Sequence, residues 1–250
     1  KSVEKGTREI CVDGLKHGER YRLTMRSGLP STVGENLEKP VALSVFIPDR
    51  AKSLRFTGDN FVLPGTARRG IPIVSVNSEK AEIQVYRVGD RSLTQLLNGS
   101  QFLTQLDFYS LQRIQDEIGE PVWTGEIDIK NVLNQEVTTS FPVDEALPQR
   151  KPGIYVMTAN LLGSRTEEWE PRATQWFMVS DIGLTTFAGE DGLNVFARSL
   201  GSAKPLANVA LKLIAKNNEV LGEAKTDAEG KAQFVAGLMR GNSGLAPVAI

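Results

Sequence analysis

The 250 residues hold 29 Lys and Arg against 30 Asp and Glu, a formal net charge of -1, and that balance offers no electrostatic footprint for nucleic acid or an anionic membrane surface. Hydrophobic residues at 40% and charged residues at 24% are the make-up of an ordinary globular protein, long enough for one large domain or two modest ones. A single cysteine, Cys11, excludes an intrachain disulfide, and one Cys with one His, His17, cannot supply a four-donor zinc site.

From residue 9 the text EICVDGL, KHGE, RYRLTM predicts a β-hairpin turning near Gly18. Pro30 to Gly34 is a loop, and VALSVFI then places Val41, Leu43, Val45 and Ile47 on one strand face. These strands are too few for a closed sandwich, so 1–51 reads as the end of a β-unit. With Lys1 at the start and a strand-like stretch at 245–250, the expectation is a piece of a longer chain.

A second unit is expected over 52–179. Phe61-Val62-Leu63, IPIVSVN and AEIQVYRV read as strands, with Arg68-Arg69 in a solvated Gly-rich turn. A helical insertion around 90–119 follows. Asp90 is placed to cap a first turn ending near Leu97. Phe108, Leu111, Ile114 and Ile118 then recur at helical spacing until Gly119 stops the helix, leaving Asp116 and Glu117 on its solvent side. Strands resume with TGEIDIK, VTTSFPV and GIYVMTANLL, and ATQWFMVSDIGL reads as one long strand. About seven strands with one decorated connection is a sandwich.

The third unit, 180–250, is expected to be a further and incomplete sandwich of five or six strands. In it Val209, Leu211 and Leu213 alternate with Ala210, Lys212 and Ile214. Asn217-Asn218 and Thr226-Asp227-Ala228-Glu229-Gly230 mark turns that hold register; the latter lacks the alternating ligands of a calcium loop. A faint internal echo supports a tandem array. VFIPDRAKSLRF and MVSDIGLTTF share an apolar strand, an Asp and a strand ending in Phe, offset by roughly 120–130 residues. The fold class is therefore mainly β: tandem antiparallel sandwiches with a short helical insertion in the middle one.

Catalytic chemistry finds no foothold. A Ser-His-Asp or Cys-His arrangement would have to use His17, which lies in a hydrophilic turn. Cys11, between Ile10 and Val12, reads as an inert buried thiol. The pairs Asp116-Glu117 and Glu167-Glu168 are neighbours in sequence, not opposed carboxylates in a cleft. The glycines of 65–70 lack the spacing and following helix of a phosphate loop. No catalytic, cofactor-binding or metal-ligating residue is assigned, and the residues argue against an enzyme.

The order of pieces does resemble a known family. ICVDGLKHGERYRLTMRSGLPS, SLRFTGDNFVLP, VYRVGDRSL, EPVWTGEIDI, TQWFMVSDIGLTTFAGEDGLNVFARSL and KPLANVALKLIAKNNEVLGEAKTDAEGKAQF are together similar to successive macroglobulin-like domains in the N-terminal half of bacterial α-2-macroglobulins. The resemblance implies a very large periplasmic protein, often a lipoprotein tethered to the inner membrane, that traps proteases. A protease cuts a bait segment, the molecule rearranges, and in many members a thioester from a Cys-x-Glu-Gln motif captures the protease. Cys11 is followed by Val12-Asp13-Gly14 and does not match that motif, and no bait segment is identifiable. The expected role is scaffold, with no cofactor. The expected partners are neighbouring domains of the same chain and, through the full-length protein, target proteases; no nucleic acid is expected, and membrane contact only through a lipid anchor outside this stretch. Two other readings share the strands. One is an Ig-like adhesion or carbohydrate-binding module of a cell-surface protein, which would need Trp123 and Trp169 outward on one face. The other is an accessory β-domain of a periplasmic enzyme.

Overall fold

The computed structural model describes residues 12–31, 33–58, 60–63, 70–89, 92–99, 101–163 and 172–250. Cys11, Arg68-Arg69, Asp90, Glu167-Glu168 and Trp169 lie outside them.

The N-terminal sheet is a two-stranded antiparallel ribbon of β1 (Arg20–Met25) and β2 (Val41–Phe46). This corrects the expected hairpin, because residues 12–16 are not in a strand and β1 takes its partner from beyond the 26–40 loop. The register explains the choice. Tyr21, Leu23 and Met25 stand opposite Val45, Leu43 and Val41, which puts six apolar side chains on one face of the ribbon. Backbone bonds from Gly18 N to Ile47 O and from Ile47 N to Glu19 O carry the ladder one step further, to the edge of the next sheet.

The central sandwich sets a three-stranded sheet against a five-stranded one. The smaller has the order β3 (Ser53–Phe56), β5 (Ile71–Val76), β8 (Glu136–Phe141). The larger runs β4 (Asn60–Leu63), β10 (Ala173–Val179), β9 (Gly153–Leu161), β6 (Lys80–Val88), β7 (Gly119–Asp128). Ile71, Ile73, Ile83, Val85, Phe141, Tyr155, Met157 and Phe177 fill the space between them. Tyr155 stacks on Phe177 with centroids 5.0 Å apart, and Trp123 meets Phe141 edge-on at 5.1 Å. The expectation of purely antiparallel pairing needs one correction, since β4 runs parallel to β10. β3 is the strand ending in Phe that the echo in the sequence places after Asp49.

The helical insertion covers the other face of the large sheet. It contains α1 (Leu93–Asn98), α2 (Phe108–Arg113) and a π-helical turn (Ile114–Ile118). Leu96, Leu106, Leu111, Ile114 and Ile118 pack on Tyr86, Val88, Val156 and Trp176. With both faces covered, β9 and β10 lose the in-out alternation of a half-solvated strand and read as near-continuous apolar runs. Asp107 caps α2, its Oδ1 accepting from Ser110 N at 2.7 Å, and that bond holds its carboxyl below the usual range. Gly119 does end the helical run, though not as a left-handed cap. Its φ of -108° is extended, and a Cβ there would lie 2.9 Å from Ile114 O, so glycine is required for close approach. Strand β7 begins at that glycine, five residues before the sequence reading started it.

The seat of the insertion is specific. Strand β4 pairs with β10 only from Trp176 onward, which leaves the edge beside Thr174 open. The side-chain amide of Gln105 fills that edge as a peptide would. Its Oε1 accepts from Thr174 N at 2.9 Å and its Nε2 donates to Thr174 O at 3.1 Å. Trp176 Nε1 donates to Thr104 O at 2.9 Å, and the indole meets Phe102 edge-on.

The stretch expected as one long strand is two. β10 stops at Val179 and β11 (Ile182–Gly189) starts the third sandwich after Ser180-Asp181. One sheet there is β11, β12 (Gly192–Ser199), β15 (Lys231–Val235), and the other β14 (Val220–Lys225), β13 (Ala210–Ala215), β16 (Pro247–Ala249). Leu211 and Leu213 point inward to Leu193, Val195 and Phe234, while Ala210 and Lys212 face solvent. Asp227 Oδ1 accepts from Glu229 N and Lys231 N, so that carboxylate is occupied by its own turn.

Candidate functional site: the joints of the central sandwich

The sequence offered no catalytic residues, and among the described residues no three His, Cys, Asp or Glu gather as a metal site would require. His17 is exposed, with Nδ1 2.9 Å from Pro48 O. Asp116 and Glu117 face solvent as expected. A shallow groove beside Tyr155 is lined by Arg87, Glu120, Arg150 and Lys151. Its cations hold the 147–152 loop in place: Arg87 donates to Pro152 O and Arg150 pairs with Asp144. Trp123 is turned onto Phe141 and Trp176 is buried at 2% exposure, so neither forms an outward aromatic platform.

A connected network of side-chain hydrogen bonds forms the joint between the N-terminal ribbon and the central sandwich. Two asparagines in left-handed turns meet there, Asn77 with φ 48° after β5 and Asn134 with φ 63° before β8. Asn tolerates this conformation because its short amide bonds locally. The β5–β8 register, ending at the pair Val76 and Glu136, brings the two turns side by side. Asn134 N donates to Asn77 Oδ1 at 2.6 Å, and Asn77 Nδ2 donates to Asn134 Oδ1 at 3.1 Å.

The pair then holds the connecting segment. Asn77 Nδ2 donates to Arg50 O at 2.7 Å, Asn134 Oδ1 accepts from Arg50 N at 2.8 Å, and Asn134 Nδ2 donates to Asp49 Oδ1 at 2.8 Å. The connecting peptide is thus bonded at its carbonyl, its amide and an adjacent carboxylate. The ribbon presses on the same spot through Gly18, where φ is 77° and a Cβ would lie 2.6 Å from Asp49 Oδ1. Beside them Glu136 takes Arg50 at 3.3 Å and Arg55 at 2.9 Å. Hydrogen bonds from Arg50, then from Arg55, hold its carboxyl below the usual range. Each neutral bond contributes about 1 kcal/mol, and the exposed ion pairs are screened by solvent. The asparagines therefore carry the joint.

The second joint follows the echo noted in the sequence. Asp181 stands where Asp49 stands in the first, and it too receives the unit that follows: Oδ1 accepts from Gly201 N at 3.0 Å and its carbonyl from Leu200 N at 2.7 Å. Ser180 Oγ accepts from Ile182 N at 2.9 Å, turning the chain between the two sheets. Neither joint contains a flexible spacer. Asn77 and Asn134 were missed in the sequence. Asn in V-N-S-E-K and L-N-Q-E marks a turn, but their meeting depends on strand pairing.

Comparison with known proteins agrees with this architecture. Residues 55–174 match the model of the bacterial alpha-2-macroglobulin MG2 domain, and residues 179–250 that of the bacterial alpha-2-macroglobulin MG3 domain. The alpha-2-macroglobulin of Xylella fastidiosa (strain 9a5c) is 28% identical over 91% of this chain and 14% of its own length. A crystal structure of native α-2-macroglobulin from Escherichia coli spanning domains MG0-NIE-MG1 shares the fold with a TM-score of 0.62 at 21% identity, over 88% of this chain and 69% of that one. A Salmonella α-2-macroglobulin reacted with methylamine matches with a TM-score of 0.64 at 21% identity, over 89% of this chain and 13% of that one. The chain spans about 14% of the length of the curated Xylella relative. Two domain models of one family, matched in tandem over residues 55–174 and 179–250, establish that this chain belongs to the bacterial α-2-macroglobulin family.

Proposed function

We propose that this stretch is structural scaffold of a bacterial α-2-macroglobulin-like broad-spectrum protease inhibitor, part of the frame that positions the groups which meet the protease elsewhere in the full-length protein. The observation that carries the reading is the first joint. Asn77 and Asn134 bond the connecting peptide at Asp49 and Arg50, as a frame that transmits strain requires and a string of independent binding modules does not. In this reading the units divide at 51/52 and 179/180. The stretch has no enzymatic activity of its own, and the thioester and bait lie outside it. The full-length protein works in the periplasm, held to the inner membrane as a lipoprotein, and target proteases are its partners only through other parts of the chain.

Two measurements test this. Incubated with trypsin, the full-length protein blocks cleavage of a large protein substrate, whereas residues 1–250 alone do not; stoichiometric inhibition by the isolated stretch would overturn the scaffold role. Fractionation of cells expressing the full-length protein places it with the inner membrane on its periplasmic side, and recovery from the cytoplasm would remove the assigned location.

A further inference from the structure

The helical insertion has a second use that the packing of the central sandwich does not explain. Its first helix, α1, lies against β16 of the third sandwich, with Cα atoms of the two elements within 8 Å. The same helix is anchored from behind: Leu93 and Leu96 belong to the apolar cluster that contains Trp176. Trp176 is on β10, three residues before Val179, where the chain leaves for the third sandwich. The path from Trp176 through Ser180-Asp181 into β11, across the third sandwich to β16, and back through α1 to Trp176 is therefore a closed loop of packed elements.

We propose that α1 is a strut that fixes the angle between the central and third sandwiches. A two-residue connection alone leaves a neighbouring domain free to pivot, which is the default for domains sharing a small interface. A second point of attachment, away from the pivot, removes that rotation. The insertion supplies this point, and the partner it fits is the third sandwich of this same chain. The apolar side chains to carry the contact are present on both sides: Leu97 on α1 is 36% exposed and Val248 on β16 is 41% exposed. Both keep some solvent access, so each is replaceable without opening a core. The inference concerns this chain alone and holds whether or not the parent protein traps proteases.

The test uses the full 250-residue chain with Cys11→Ser and spin labels on Asn131→Cys in the central sandwich and Lys225→Cys in the third. Both positions are exposed. Pulsed dipolar spectroscopy gives one narrow distance distribution in the parent. Leu97→Asp broadens it by about twofold or more, to the range expected of domains with a small interface, while far-UV circular dichroism is unchanged. Val248→Asp, made on the opposite side of the contact, does the same without touching the central sandwich, and pairing it with Leu97→Lys narrows the distribution again. A distribution that stays narrow in both Asp variants would overturn the strut. So would one already broad in the parent.

Discussion

At its N-terminal end the central sandwich is joined by side-chain amides that hold a connecting peptide; at its C-terminal end a core strand stops at Val179 and only Ser180-Asp181 separate it from the next sheet. The first joint is polar and directional, built from turns with little apolar burial around them. The second shares its residues with the core. Trp176 and Phe177 are 2% exposed, and Val179 closes the sandwich just before the chain departs. The difference separates two kinds of rigidity. A joint of hydrogen bonds has a defined angle yet opens at a cost of a few kcal/mol without unfolding anything. A joint seated on a core strand and braced by α1 against β16 loosens when either support is lost.

The sharpest way to break this contrast is Trp176→Ala. It removes the largest fully buried side chain among the described residues and its bond to Thr104 O, a loss of about 3–5 kcal/mol. Thermal unfolding of the central sandwich should fall by many degrees, and the third sandwich should lose its fixed orientation with it. An unchanged melting temperature would show that the insertion is not held as described.

Asn134→Ala comes next. It deletes the amide that reaches Asp49, Arg50 and Asn77 and leaves alanine at positive φ, together about 2–3 kcal/mol. The expected result is rapid limited proteolysis between Ile47 and Lys52 with the sandwich core protected from hydrogen exchange. If core and ribbon become labile together, the first joint is no more separable than the second. Gly18→Ala is expected to act in the same direction at about 1–2 kcal/mol, through backbone strain and the approach to Asp49. Faster exchange of the Ile47 amide, which bonds Glu19 O, is its readout.

The smallest effect is titration of Glu136. Its folded-state pKa lies below its ordinary value, so its contribution is present above the ordinary carboxylate pKa and is lost as pH falls through the lowered one. Amide exchange at the first joint should rise modestly with acid, after correction for intrinsic rates, and Glu136→Gln should flatten that dependence. A joint insensitive to both would confine the clasp to its asparagines.

Much of this was legible in the sequence, and the boundary follows from chain distance. The alternation of Leu211 and Leu213 with Ala210 and Lys212, the Asp227 turn and the helical spacing of Leu111, Ile114 and Ile118 are local signals, and local signals suffice for elements. Partners are another matter. The strand face of Val41, Leu43 and Val45 was visible, but its pairing with Tyr21, Leu23 and Met25 is made across the 26–40 loop. Asn77 and Asn134 are 57 residues apart, and only the β5–β8 register unites them. Gln105 gave no signal at all, because acting as a substitute strand depends on how short β4 is.

The parallel pair of β4 with β10 governs when the central sandwich can close. Its two strands lie more than a hundred residues apart, with the helical insertion and five other strands between them. Such non-local pairings form late, since a large loop must be ordered before they return any stabilisation. During synthesis β4 has no partner strand until β10 has emerged through Val179. The next residues out are Ser180 and Asp181, the beginning of the third sandwich. The central sandwich is therefore completed as its successor starts to appear, and the finished unit is the surface on which the next one orients.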